Sequence, residues 1–321
     1  MPSPTLTATH GVTIEIGAIP ILVRTESANF AHMLEDRYGE FVTADAPPAV
    51  MELEIRLVEP GRDPGHGIRD SDFGPRTLDL GLSSPDLELG TENQDLSVRR
   101  ESGRWVMERG DFRAEWDPQC HRGWVRQTAN PYAIDGVLRI LHSLILARKG
   151  GFLVHAASAV RNGRAFVFAG VSGTGKTTLA RLAPPDVILL TDEISYVRPK
   201  NKSPKSEVRS TDSEHRSTNP ESQIPAFEAF GTPFAGELAR IGRKVQTPLA
   251  TLFLLEQGPE NQIKPLREAE AARELLRHVL FFAQDEELVG MIFQTVCDFV
   301  RRVPVRRLVF TPDARAWELI V

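Results

Sequence analysis

Cysteine is nearly missing from this chain of 321 residues: Cys120 and Cys297 are the two it has, and they form no C-x-x-C pair. That excludes a disulfide-stapled fold and a cysteine-based zinc site, and reads as structural thiols of a reducing compartment. Long apolar runs are missing as well. No segment reaches the ~18 uninterrupted apolar residues of a membrane span, and residues 1–10 lack the basic start and apolar core of a secretory signal. A cytoplasmic location with no membrane contact is the expectation. Neither sign of charge is in large excess: 38 basic against 43 acidic residues leave −5, so nucleic acid is not an expected partner. Internal repeats are absent. What remains, 41% apolar and 25% charged residues, is ordinary globular composition with an ample core and room for two domains.

Residues 12–16 alternate as a strand, and Ser27 caps a short helix whose Phe30, Leu34 and Tyr38 share a face up to Gly39. Residues 51–57 alternate apolar and charged, so that strand is buried on one side. From 59 to 94 the pattern dissolves into Gly, Pro, Asp and Ser, an irregular excursion. Alternation returns at 96–98, 104–107, 112–116 and 123–126, a β-meander in which Trp105, Trp116 and Trp124 are core residues. Residues 132–148 form a helix with a broad apolar face ended by Gly150-Gly151. The domain boundary is placed just before it, giving a β-rich N-terminal domain over 1–130 and a second domain over 131–321.

Two strands then follow at once, 152–160 and 164–169, joined by Asn162-Gly163, the strongest short-range hairpin signal. The second runs into Gly170-Val-Ser-Gly-Thr-Gly-Lys-Thr177, which fits G-x-x-x-x-G-K-[ST], the Walker A pattern, at every fixed position. Glycines let the backbone curl so that successive N–H groups face a phosphate. Lys176 can reach the outer phosphates, and Thr177 can hold Mg²⁺ through its hydroxyl. The expected nucleotide contacts are Gly170, Val171, Ser172, Gly173, Thr174, Gly175, Lys176, Thr177 and Thr178, with ATP and Mg²⁺ as ligands.

An apolar strand over 187–193 ends in Asp192 and Glu193. It is expected to lie beside the loop's own strand, with Asp192 toward the metal. Residues 198–224 are polar and cannot bury enough apolar surface to offset their ordering, so they read as an insertion or lid. Beyond it come a turn-rich stretch over 227–236, a buried strand at 249–255, helices at 268–282 and 286–300, and a closing strand at 303–310 carrying Pro304.

With hairpin, loop and paired acids in this order, the region resembles the catalytic domain of HPr kinase/phosphorylase and its related kinases over residues 151–198, and more weakly over 225–310. The resemblance implies an α/β fold of the P-loop type shared with phosphoenolpyruvate carboxykinase: a mixed sheet, here preceded by a smaller β-rich domain. It implies an ATP- and Mg²⁺-dependent kinase acting on a serine or other hydroxyl of a peptide, protein or small molecule. His155 matches a family histidine ahead of the loop and joins Lys176, Asp192 and Glu193 as catalytic. The family's base is an aspartate where this chain has Glu193. The family also binds metal through a glutamate near a glycine, which makes Glu228, ahead of Gly231, a metal ligand together with Thr177 and Asp192. The first 130 residues do not match the HPr kinase N-terminal domain, so the expectation is a related kinase and not HPr kinase itself. A carboxykinase-like lyase and a non-catalytic nucleotide sensor stay open, as does a homo-oligomer. The acceptor is expected near residues 230–234.

Overall fold

The computed structural model describes residues 10–44, 48–58, 96–200 and 227–321. The two polar stretches read as an excursion and an insertion, 59–94 and most of 198–224, lie outside the described residues.

Seven strands form the first sheet: β1 (His10–Ile16), β2 (Ile19–Thr25), β3 (Met51–Leu57), β4 (Ser97–Glu101), β5 (Arg104–Arg109), β6 (Phe112–Asp117) and β7 (Arg122–Gln127). Their order is β1-β2-β3-β7-β6-β5-β4, with β3 parallel to both its neighbours and the other pairs antiparallel. Helix α1 (Ala28–Tyr38) packs on β1 and β2. The Ser27 hydroxyl caps it by accepting from the Phe30 amide, and Phe30, Leu34 and Tyr38 point into the core. Trp105 and Trp116 are buried, whereas Trp124 is half-buried beneath the Arg56 guanidinium.

Strand β2 is not foreseen by the sequence pattern. It pairs with β1 through a two-residue turn in which Gly17 and Ala18 both have positive φ, at 59° and 56°. Alanine is a poor signal for such a turn, and Pro20 argues against a strand, so the hairpin is hidden.

Helix α2 (Pro131–Arg148) stands between the sheets. Asn130 caps it and Pro131 opens it. Almost every residue from 133 to 147 is buried, because the helix is covered on several sides by α1, by β8 (Phe152–Arg161) and by α5 (Glu286–Arg302).

The second sheet is strand-rich and mixed. It holds β8, β9 (Arg164–Ala169), β10 (Ile188–Thr191), β11 (Ile194–Pro199), β12 (Phe227–Phe230), β13 (Gln246–Gln257), β14 (Gln262–Pro265), the short β15 (Val279–Leu280) and β16 (Val305–Phe310). Its ladder closes on itself, β8 to β11 to β12 to β13 to β9 and back to β8, which makes a small barrel. The Asn162-Gly163 hairpin forms between β8 and β9, both residues at positive φ. One core cluster runs through α2 and both sheets. A second lies under α3 (Lys176–Arg181), where Phe168 stacks on Phe253 at 5.8 Å and Trp317 donates from its indole to the Leu179 carbonyl.

Four further expectations are adjusted. The apolar strand expected over 187–193 is present as β10 but ends at Thr191; Asp192 and Glu193 follow directly as a tight bend, and β11 comes next. Arg198, taken as the start of the polar insertion, is buried in β11 and donates to the Gly17 carbonyl. The helix expected over 268–282 is α4 (Glu268–Leu276), and Val279-Leu280 leave it to pair with β8. Apolar residues at 275, 276, 279 and 280 suit either structure, and the free edge of the ladder decides. Residues 227–230, read as turn-rich, are a fully buried strand.

Candidate active site

Strand β8 organises the site. On one side its Ala156 pairs with Ala169, the last residue of β9, after which the glycine-rich loop begins. On the other side its His155 pairs with Ile194, the first residue of β11 after the acid turn, and the Ala156 amide donates to the Glu193 carbonyl. At ~4.8 Å per strand spacing, loop and acids are brought within about two strand widths. The acids therefore do not stand beside the loop's own strand, as the sequence suggested; β8 lies between.

The loop is built by its glycines. Gly173 and Gly175 have φ of 80° and 100°, and a Cβ on Gly175 would meet the Phe310 ring at 2.7 Å. Val171, Ser172 and Gly173 are exposed, while Thr174, Thr177 and Thr178 are half-buried. Thr174 donates from its hydroxyl to the Val171 carbonyl, and Gln257 donates to the Gly173 carbonyl at 2.8 Å. Lys176 is buried and curls back onto its own loop, donating to the carbonyls of Gly170 (2.8 Å) and Val171 (3.2 Å). Burial holds its ammonium below the usual lysine value, while Glu193 and Glu237 pull the other way.

The acid turn is fixed just as firmly. The Thr191 hydroxyl accepts from the amides of Glu193 and Ile194. Asp192 is buried and accepts from two backbone amides at 2.9 Å each, Gly236 on one oxygen and Leu238 on the other. That clasp holds the exposed Glu237 at the rim and brings Gly236 so close that a Cβ there would lie 2.8 Å from a Glu193 oxygen. Glu193 is raised above the usual carboxylate value, chiefly by burial. Arg139 and Lys176 oppose that shift, and Asp192 and Glu237 add to it.

His155 Nδ1 lies 3.6 Å from Glu193 Oε1. Burial, then the charge of Lys176, push its pKa down to about 3, so near neutrality this is a neutral imidazole beside a carboxylate and not an ion pair. Its amide donates to the His278 carbonyl, and His278 is likewise lowered by burial to about 4.

Glu228 does not join this group. It stands opposite Arg198 in the ladder, four positions beyond Ile194 and so ~13 Å along the strand, and it accepts from Gln246 at 2.7 Å. It is therefore not placed to share a metal with Thr177 and Asp192, as the resemblance implied. Among the described residues no three His, Cys, Asp or Glu side chains converge as a ready-made metal centre. Residues 230–234, expected to face an acceptor, are all buried, and the accessible part of that loop begins only beyond them.

Sequence reasoning passed over Arg139, His278 and Glu237. A signal for the first existed: Asp135, Arg139 and His142 repeat at four and three residues along an otherwise apolar helix, a polar stripe that is buried in the fold. Two open grooves, of about 480 and 380 Å³, lie on the first sheet, away from this site. Of the charged groups lining the second, Arg24 pairs with Glu52, Arg56 with Glu54 at 3.0 Å and Arg104 with Asp117 at 3.4 Å. Compared with protein-family models and with curated proteins, the chain matches none. No helix among the described residues is long and apolar enough to cross a membrane.

Proposed function

We propose that the chain is an ATP- and Mg²⁺-dependent kinase of the HPr-kinase-like, P-loop type, acting on a serine or other hydroxyl of an unidentified peptide, protein or small molecule. One observation carries the reading. His155, Lys176 and the adjacent acids Asp192 and Glu193 come from three separate stretches of the chain, yet they converge across β8 into one partly buried group at the mouth of the glycine-rich loop.

The residues present fit a metal–nucleotide ligand. The Lys176 ammonium spends its bonds on two loop carbonyls that a phosphate can replace. The Thr177 hydroxyl stands one residue on, and each Asp192 oxygen accepts one amide, which leaves lone pairs for a cation. Mg²⁺ is commonly held by one or two such groups together with the phosphates, where it neutralises their charge. Glu193 is the base. Its raised carboxyl brings it nearer to the pH at which it works, and it takes the acceptor's proton as the hydroxyl oxygen bonds the γ-phosphorus and the bond to the diphosphate breaks. His155, neutral and beside it, orients the carboxylate.

Purified protein with labelled ATP and Mg²⁺ should label a hydroxyl in an extract of its source. Glu193→Gln should lower that turnover by about 10²–10⁴-fold, the usual contribution of a general base, with ATP affinity held within about twofold. Equal turnover in the Gln variant removes Glu193 as the base. Nucleotide binding without transfer in the parent would turn the reading to a sensor.

A further inference from the structure

We propose that Arg139 is a positioning residue for this reaction: anchored through α2 to the first sheet, its guanidinium fixes the Glu193 carboxylate and the loop that closes over it. The inference rests on the kinase reading for its kinetic consequence, but its structural content stands apart from that reading.

Four observations support it. Arg139 is 5% exposed, so its charge is spent inside the protein. Its guanidinium lies over the Phe234 ring, 5.0 Å from the centroid, and Phe234 leads directly into the segment whose Gly236 touches the Glu193 carboxylate. Its charge acts on both His155 and Glu193, the two side chains that face each other at 3.6 Å. One helical turn earlier, Asp135 is buried and bound from the first sheet's side by Arg37 and by the Tyr38 hydroxyl at 2.6 Å. A buried cation that serves only packing would be a costly choice on an apolar helix, because charge removed from water must be compensated. Here Glu193, the proposed base, is a carboxylate whose ionisation this charge favours. Arginine suits the place better than lysine, since its planar group can lie flat on Phe234 while its edge remains available to a carboxylate.

Asp135 and Arg139 thus form a rigid link. Helix α1, packed on the first sheet, grips one end of a helical turn through Arg37 and Tyr38, and the other end sets where Glu193 sits. That gives the first sheet a direct bearing on the chemistry, with no need for it to touch substrate.

A double-mutant cycle tests the link without any activity. Arg139→Met should lower the melting temperature of the parent, because it removes the larger of the two positive charges that offset the burial of Glu193. In the Glu193→Gln background the same change should cost less than half as much. Equal losses in the two backgrounds would show that the groups do not interact, and would overturn the proposal. If Arg139→Met fails to fold in either background, Arg139→Lys is run through the same cycle with the same criterion. The kinetic arm follows. Arg139→Met should reduce kcat at least tenfold with ATP affinity within about twofold, and millimolar guanidinium, but not sodium chloride, should restore part of it in Arg139→Ala. A loss of kcat matched by an equal loss of ATP affinity, or no loss at all, refutes the positioning role. If the parent transfers no phosphate, the kinase reading has failed, and the stability cycle alone decides Arg139.

Discussion

Lys176 spends its charge on its own backbone, and that shapes what it can do next. The ammonium is buried against the Gly170 and Val171 carbonyls, so it is held at the loop in advance of any ligand. Replacing it with alanine removes a charge-assisted contact worth about 1.5–3 kcal/mol. Lys176→Ala should therefore weaken ATP binding about 10- to 100-fold by calorimetry, and unchanged affinity would remove the loop from the nucleotide site. The loop residues were legible in the sequence because they are contiguous, and contiguous patterns need no fold to assemble them. Arg139 and His278 were not. Each reaches the site from an element that carries no motif of its own, and only packing reveals which way they face.

At the scale of elements, the β1–β2 hairpin is the clearest case of local chemistry answering to tertiary contact. Its tip carries Gly17 at positive φ, and a Cβ there would sit 2.1 Å from the Tyr196 ring on β11. Arg198, also on β11, donates to the Gly17 carbonyl, and the Tyr196 hydroxyl lies 3.1 Å from His142 Nδ1 on α2. The hairpin tip is thus seated on the strand that follows the acid turn. Gly17→Ala combines a left-handed backbone with a collision, and should destabilise the protein by about 2–4 kcal/mol. Gly103 is a control: φ is 84°, but nothing lies within 4 Å, so Gly103→Asn should cost under about 0.5 kcal/mol. Urea denaturation of the two variants separates these outcomes; similar losses would mean that the Tyr196 contact is unimportant. Strands β2 and β11 escaped the sequence reading for a related reason. Each is defined by a ladder partner far away in the chain, and the signals within them, Pro20 and the adjacent acids, suggested endings.

For the whole molecule, two buried histidines, His142 and His278, and the half-buried His155 make stability depend on pH. Burial lowers His142 and His155 to about 3 and His278 to about 4. In the unfolded chain each titrates near the usual ~6.5. Between those values the unfolded chain binds protons that the folded one refuses, so the contribution is fully present above ~6.5 and is lost as pH falls toward 3–4. At pH 5 the loss is about 2 kcal/mol for each histidine. Glu193, with its carboxyl raised, works in the opposite direction, but it is one group against three. The urea midpoint should drop steeply from pH 7 to pH 5. A flat profile would mean that these imidazoles accept protons in place.

Composition and pattern alone determined that the chain folds around an ample core. They also determined that strands 51–57 and 152–169 exist with a tight Asn162-Gly163 turn, and that residues 170–177 form a glycine-rich loop between a strand and a helix. These are local matters, decided by side-chain alternation and by the backbone freedom of Gly and Asn. Tertiary structure decided the rest. It closed the second sheet into a barrel, placed β8 between loop and acids, and kept Glu228 away from them. It also turned an apolar helix with a polar stripe into the link between the first sheet and Glu193. Register and burial are properties of pairs of elements, and no single stretch of sequence holds both members of a pair.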